Sequence, residues 1–129
     1  MERIGKNKIL TREGIIEIIN DKYIRFQLHD HIRGHKTENL MESIEAAEIL
    51  CEGRKLPFLT ISKQFDRLDK KEEDIARASL KKLFTAQAMV TNSKITIMIV
   101  KLALSIKKAD IPTKIFANEE NAIKWLLNQ

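Results

Sequence analysis

Three histidines lie close together near residue 30, and they are all the histidine in the chain: His29, His31 and His35. On an extended segment His29 and His31 point the same way, as two ligands of one metal ion must. A closed site needs a fourth ligand, and His-x-His metal motifs carry further ligands downstream that this sequence lacks. We therefore interpret these three as surface histidines at a strand–helix turn, and we predict no bound metal and no other cofactor. A metal-dependent hydrolase that uses these three histidines is one hypothesis on function, ranked third after the two given at the end of this section.

Other residues that can do chemistry are few. Cys51 falls on the apolar face of a predicted helix, where a buried, inert thiol is expected. A glycine-rich phosphate loop, a Gly-x-Ser-x-Gly elbow and a His-Glu-x-x-His motif are all missing from the sequence. Arg77 is a candidate for holding an anion, although pairing with a nearby acid such as Glu73 is the simpler interpretation. We therefore expect a protein that is not an enzyme.

The overall composition indicates one ordinary globular domain over residues 1–129, with 43% hydrophobic and 32% charged residues. The net charge of +5 is spread along the chain, and aromatic residues make up only 5%. Nucleic-acid binding by stacking needs aromatic side chains among the basic ones, so we predict no nucleic-acid partner. A lone cysteine cannot form an internal disulfide, and no secretory signal is recognised at the N-terminus. We therefore expect a cytoplasmic protein.

The hydrophobic periodicity changes along the chain from strands to alternating helices and strands. Residues 9–12 and 15–19 read as strands joined by a turn at Glu13-Gly14, and residues 23–28 alternate as a half-buried strand. Four helices follow, interleaved with short β-runs over residues 57–61, 86–91 and 112–116. Their predicted N-caps are Thr37, Asp69, Ser93 and Asn118. This order predicts an α/β fold with a mixed, mostly parallel sheet, an N-terminal antiparallel hairpin and four helices.

The helix predicted over residues 94–108 is apolar on two sides. We expect its core stripe to be Ile95, Met98, Ile99, Leu102 and Ile106. A second stripe of Ile97, Val100 and Leu104 lies opposite, flanked by Lys94, Lys101 and Lys108. The chain either packs over this second stripe or uses it as a contact surface. We predict partner binding by Ile97, Val100, Lys101, Leu104 and Lys108, first of all in a homodimer, and otherwise with a partner helix or anionic lipid headgroups.

A distinctive set of residues lies from Asn92 onward: Asn92-Ser93 before an apolar helix, then Ile111-Pro112-Thr113-Lys114-Ile115-Phe116, and then Asn118-Glu119-Glu120 followed by Ala122-Ile123-Lys124-Trp125-Leu126. Through these residues most of the chain resembles an uncharacterised bacterial STAS-like family. The turn at Glu13-Gly14-Ile15-Ile16 also looks like the start of that family. The resemblance implies a βαβ sheet domain related to anti-sigma-factor antagonists and, more distantly, to CRAL-TRIO lipid-transfer domains.

Two functional hypotheses follow from this resemblance. Characterised STAS domains regulate partners by docking, often under control of a phosphorylated Ser in an Asp-Ser-Ser-Gly-like turn. Here Ser62 lies near the corresponding place and is the candidate for such a switch, although Lys63 follows it and no glycine does. The leading hypothesis is a non-enzymatic regulatory domain that binds a protein partner and itself. The alternative is a carrier of lipid or a small apolar ligand, which would require the second helix and the helix at 94–108 to part.

Overall fold

The computed structural model of the chain describes residues 1–30 and 36–129. Within these residues it contains one sheet of seven strands and four helices. In chain order they are β1 (Glu2–Gly5), β2 (Lys8–Leu10), β3 (Gly14–Ile19), β4 (Tyr23–Leu28), α1 (Thr37–Cys51), β5 (Leu56–Ile61), α2 (Lys70–Leu83), β6 (Phe84–Val90), α3 (Lys94–Ile106), β7 (Thr113–Phe116) and α4 (Glu119–Leu127). No helix in the described part of the chain is long and apolar enough to cross a bilayer.

The first four strands form an antiparallel meander, which is larger than the predicted hairpin. Strand β1 has no buried side, so no alternating pattern marks it in the sequence. The turn between β2 and β3 is closed by Thr11, whose backbone N–H donates to the Gly14 carbonyl oxygen at 2.8 Å. Gly14 also touches β4, because a Cβ at this position would lie 2.1 Å from the Gln27 carbonyl oxygen. Only glycine allows the two strands to approach so closely here.

From β4 onward, neighbouring strands pair in parallel: β4 with β5, β5 with β6, and β6 with β7. The strand order in the sheet follows the chain order. Each parallel step crosses over through one helix, α1, α2 or α3. Right-handed crossovers that all move in the same direction place their helices on one face of the sheet. Helix α4 packs on the other face, against β5, β6 and β7. The predicted α/β class with a mixed sheet, an antiparallel N-terminal part and four helices is therefore confirmed.

Two hydrophobic clusters hold these layers together. Under α1 and α2 three aromatic rings follow one another across the sheet, with Phe58 stacked on Phe84 at 4.2 Å and Phe26 lying 6.5 Å from Phe58. On the other face Ala86 and Ala88 are fully buried, and their small side chains let α4 approach β6 closely. A bidentate ion pair then fastens the start of α4: Arg25 on β4 donates to both carboxylate oxygens of Glu119, at 2.8 and 3.1 Å.

Three of the four predicted N-caps are present. The side chains of Asp69, Ser93 and Asn118 each accept a hydrogen bond from the backbone N–H three residues later, at 2.8, 3.2 and 2.9 Å. The prediction of Thr37 as a cap was wrong. Thr37 is the first residue of α1, and Lys36 occupies the cap position without a side-chain hydrogen bond.

Candidate functional site

Helix α3 turns its larger apolar stripe to the solvent. Ile95, Met98, Ile99, Leu102 and Ile106 are 62–79% exposed. The stripe that packs towards the sheet is the smaller one, Ile97, Val100 and Leu104, whose side chains are partly buried. The prediction of which stripe forms the core was therefore wrong, and the two faces of the helix are exchanged.

The reason lies in the strand that α3 covers. Helix α3 lies over β7, which has only four residues and contributes one fully buried side chain, Ile115. Three aliphatic side chains are enough to cover so short an edge strand. The five larger ones then have no sheet left to pack against, and they form a continuous exposed surface that we call the α3 stripe (Ile95, Met98, Ile99, Leu102 and Ile106).

Basic side chains border the α3 stripe. Lys94, Lys101 and Lys108 are exposed, and none of them forms an ion pair with another residue of the described ranges. Lys107 differs, because its ammonium group lies 3.1 Å from Glu73 on α2. Two of the predicted partner-binding residues, Lys101 and Lys108, are thus on the exposed surface. The other three lie on the side of α3 that faces the sheet: Ile97, Val100 and Leu104.

Arg77, the predicted anion-binding residue, forms an ion pair within the protein. Its guanidinium group donates to Asp110 at 3.1 Å, so α2 is tied to the loop between α3 and β7. The interpretation that Arg77 pairs with an acid agrees with this geometry, but the acid is Asp110 rather than Glu73. Together with the Lys107–Glu73 pair, this contact holds α3 beside α2 on the same face of the sheet.

A second feature is an apolar pocket of about 270 Å³ between α1, α2 and the sheet. It lies near the carboxyl ends of β4 and β5, where open parallel sheets commonly bind ligands. Most of its wall is apolar, and its aromatic and large aliphatic lining residues are Ile16, Phe26, Leu28, Leu40, Ile44, Phe58, Phe65, Leu68, Leu80, Leu83, Phe84 and Met89. The structure thus contains an apolar cavity, but under α1 and α2 rather than between α2 and α3, where the carrier hypothesis expected it.

Polar residues also line this pocket, namely Glu13, His29, Ser43, Thr60, Ser62, Gln64, Asp66, Ser79 and Gln87. Thr60 on β5 is 7% exposed, and its hydroxyl oxygen is buried without a hydrogen-bond partner in the described structure. Glu13 is 2% exposed and accepts a hydrogen bond from the Ser43 hydroxyl on α1 at 2.7 Å. A mostly apolar cavity with a small number of fixed polar groups is the usual form of a small-molecule site.

The candidate switch residue Ser62 lies at the rim of the same pocket. Its hydroxyl donates to the Gln64 carbonyl oxygen at 2.5 Å and accepts from the Gln64 backbone N–H at 3.3 Å, as serine commonly does in turns. The next residue, Lys63, pairs with Asp30 at 3.2 Å. The turn is therefore closed by its own hydrogen bonds and tied to the end of β4 by an ion pair, and phosphorylation of Ser62 stays a prediction.

The histidine string is described only in part. His29 follows β4 and also lines the pocket, and its backbone N–H donates to the Glu13 carbonyl oxygen at 2.9 Å. His31 and His35 lie outside the described residues. Among residues 1–30 and 36–129, no group of three potential metal ligands comes together. Cys51 is 1% exposed, and burial raises the pKa of its thiol, in agreement with the predicted inert cysteine.

A family model of a domain of unknown function, DUF7793, matches residues 9–129. The chain belongs to this family. No curated protein matches the sequence of this DUF7793 domain. Among solved structures, it is similar to an uncharacterised protein of the DUF3478 family from Shewanella loihica PV-4, which has a SpoIIAA-like fold. The two share 15% sequence identity with a TM-score of 0.62, and the match covers 98% of each chain. The predicted resemblance to an uncharacterised STAS-like family is thereby confirmed at the level of the fold.

Sequence reasoning missed the pocket of this DUF7793 domain. Its signal was available, since Phe26, Phe58 and Phe84 are three of only five phenylalanines and all lie in predicted or adjacent strands. Their convergence on one face depends on strand register, and β5 and β6 shift register between Leu56 and Phe58. A count of alternating positions cannot anticipate such an irregularity.

Proposed function

We propose that this chain is a non-enzymatic regulatory binding domain of the cytoplasm that acts through protein–protein contacts, including contacts between its own copies. The observation that supports this most directly is the α3 stripe. Large exposed apolar surfaces on a folded domain commonly mark interaction sites, whereas single exposed aliphatic residues need no explanation. Aliphatic side chains can be buried against a partner, but they transfer no protons and hold no reacting group.

The energy available from this surface is large enough to matter. Burial of one aliphatic side chain contributes about 1.5 to 3 kcal/mol. The five residues of the α3 stripe therefore offer roughly 5 to 10 kcal/mol per helix when covered, after allowance for the part already buried. Association costs about 4 to 15 kcal/mol in lost translational and rotational freedom. Two such stripes covered in a dimer can offset that cost.

Light scattering coupled to size exclusion tests this proposal. The wild-type chain is expected to be larger than a monomer, and Leu102→Asp, in the middle of the α3 stripe, is expected to reduce it to a monomer. Leu127→Asp is the matched control, because Leu127 is also an exposed leucine but lies on α4, on the other face of the sheet. A wild-type chain that is monomeric throughout would contradict self-association. Val100→Asp is unsuitable, because Val100 lies on the sheet-facing side of α3 and its substitution would disturb the packing of α3 on the sheet.

The pocket favours a second function, the carriage of a small apolar ligand. An engineered cavity of about 150 Å³ holds benzene, so a 270 Å³ pocket has room for about ten non-hydrogen atoms. The buried Thr60 hydroxyl would suit one hydroxyl or carbonyl group on that ligand. A medium-chain alcohol or a small aromatic alcohol has this combination of features.

A homologous series of straight-chain alcohols tests the second function. We expect the melting temperature to rise with chain length and to level off at about ten non-hydrogen atoms, where the pocket is full. Ala76→Leu adds side-chain volume to the lining and should shorten the longest chain that still stabilises the protein. An equal response of the wild type and Ala76→Leu, or no response at any length, would contradict the carrier function.

A further inference from the structure

The surface around the α3 stripe carries charge of one sign. The sequence of α3 contains no acidic residue. Lys94 and Lys101 are seven residues apart, and Lys108 follows seven residues later, just beyond the end of the helix. Because seven residues make nearly two helical turns, the three ammonium groups form a row along one side of the stripe, spaced about 10 Å apart. Any partner of this surface must therefore tolerate a row of three positive charges.

This row argues against the simplest dimer, in which two copies of α3 pack against each other. In an antiparallel pair the two lysine rows would lie on the same side and face each other. In a parallel pair each row would face the side of the other helix that carries Ile99 and Ile106. Neither arrangement places an acid opposite a lysine, and like charges at the edge of a helix pair are destabilising.

The complementary surface exists on the same chain, on α1. Glu38, Glu45 and Glu52 are also spaced seven residues apart and are exposed, with the exposed apolar residues Met41 and Ile49 beside them. None of these three carboxylates forms an ion pair with another residue of the described ranges. The spacing of the acidic row on α1 therefore matches the spacing of the basic row on α3.

The topology permits both rows to be used at once. Helix α1 contacts β3 and β4, α2 contacts β6, and α3 contacts β7, so the three helices lie side by side on one face in this order. Neighbouring helices are 8 to 10 Å apart, which places α1 and α3 about 20 Å from each other. A two-fold axis parallel to the helices and above α2 brings α3 of each copy onto α1 of the other and sets the two α2 helices opposite each other. The two contacts are equivalent, and the assembly closes as a dimer.

Resting on the proposed self-association, we infer that this domain forms a two-fold dimer in which the α3 stripe and its lysine row dock on the acidic outer face of the second copy's α1. The helices of each pair run parallel, so the rows at residues 94, 101 and 108 and at residues 38, 45 and 52 meet with opposite charge. On α3 the lysine row flanks the apolar stripe, whereas on α1 Glu45 lies between Met41 and Ile49, four residues from each. Opposite charges across a helix pair set partner choice and orientation.

Charge exchange between the two rows tests the inference. At low ionic strength of about 50 mM, where surface charges are least screened, Lys101→Glu and Glu45→Lys should each weaken the dimer by about tenfold or more, since each substitution acts in both contacts. An equimolar mixture of the two variants should restore wild-type dimerisation, because both contacts of the mixed dimer then pair opposite charges. Lys124→Glu on α4 makes the same change of charge on the other face and should leave the dimer unchanged. Sedimentation equilibrium provides the dissociation constants.

Other results would overturn the inference in recognisable ways. Tighter association of Lys101→Glu alone would show that α3 packs against α3, since the substitution would then relieve repulsion. A dimer that Leu102→Asp splits but that neither charge variant weakens would refute the α3–α1 contact and leave the proposed function intact. A wild type that stays monomeric up to about 1 mM refutes both self-association and this contact. If that monomer also sediments with vesicles of anionic phospholipid, the lysine row belongs to a bilayer surface instead.

Discussion

Replacement of Thr60 by valine should stabilise the protein. The Thr60 hydroxyl is buried in the wall of the pocket and has no hydrogen-bond partner in the described structure. Burial of an unpaired hydroxyl costs about 1 to 3 kcal/mol in proteins, and valine has the same shape without that group. Valine also suits the interior of a strand. We therefore expect Thr60→Val to raise the free energy of unfolding by about 1 kcal/mol.

The corresponding change in melting temperature is measurable. Unfolding entropy is about 2.1 cal/mol/K per residue, which gives about 0.27 kcal/mol/K for 129 residues. A gain of about 1 kcal/mol then corresponds to a rise of about 4 °C. Differential scanning calorimetry measures the shift, and urea denaturation at a fixed temperature gives the free energy independently.

Thr91 provides the matched control. It is 2% exposed, and its hydroxyl donates to the Lys63 carbonyl oxygen at 2.8 Å and accepts from the Ser93 backbone N–H at 3.3 Å. Thr91→Val should therefore lower stability by about 1 to 2 kcal/mol, because it leaves those groups unpaired. Destabilisation of similar size by both substitutions would refute the reasoning, since it would show that the Thr60 hydroxyl is also paired in the folded protein.

Three further predictions concern the fold. Gly14→Ala should lower the free energy of unfolding by about 3 kcal/mol or more, because its Cβ would meet the β4 backbone. A Cβ at Gly5 makes only ordinary contact, so Gly5→Ala should leave that free energy unchanged. Urea denaturation measures both. The pKa of Glu42 is lowered mainly by the Arg12 backbone N–H at 2.7 Å, so its contribution to stability is present at neutral pH and is lost as pH falls through and below the ordinary range of a glutamate carboxyl. Wild type should then lose stability more steeply over that range than Glu42→Gln, and parallel curves would refute the assignment. Cys51 should react with a thiol reagent at the rate of unfolding; fast labelling of the native state would contradict its burial.

Much of the local structure was predictable because it depends on neighbouring residues. The side-chain hydrogen bonds of Asp69, Ser93 and Asn118 satisfy backbone N–H groups three residues away, so residue type and spacing are sufficient to locate these helix starts. Strand β1 shows the limit of such reasoning. It forms a strand by pairing with β2 while every residue in it stays exposed, so its side chains carry no periodic signal.

The candidate sites were harder to predict, since they depend on contacts between distant parts of the chain. Residues of the pocket wall come from β3 to β6, α1 and α2, and the Thr60 hydroxyl, unpaired within the described residues, can be recognised only after all of them are placed. The exposed lysines, in contrast, could be read from the sequence. Lys101 and Lys108 were predicted to flank the stripe of Ile97, Val100 and Leu104, and both are exposed, since their spacing is a property of the helix alone.

By itself, the sequence determined the alternation of strands and helices, and with it the α/β class, because hydrophobic periodicity and turn residues act over short distances. It also determined that α3 has two apolar sides. Only the tertiary structure decided which of these sides faces the solvent. A helix with two apolar stripes can pack with either side, and the choice is made by the strand beneath it. Strand β7 is short and has little surface to cover, so the smaller stripe packs on it and the larger stripe remains exposed.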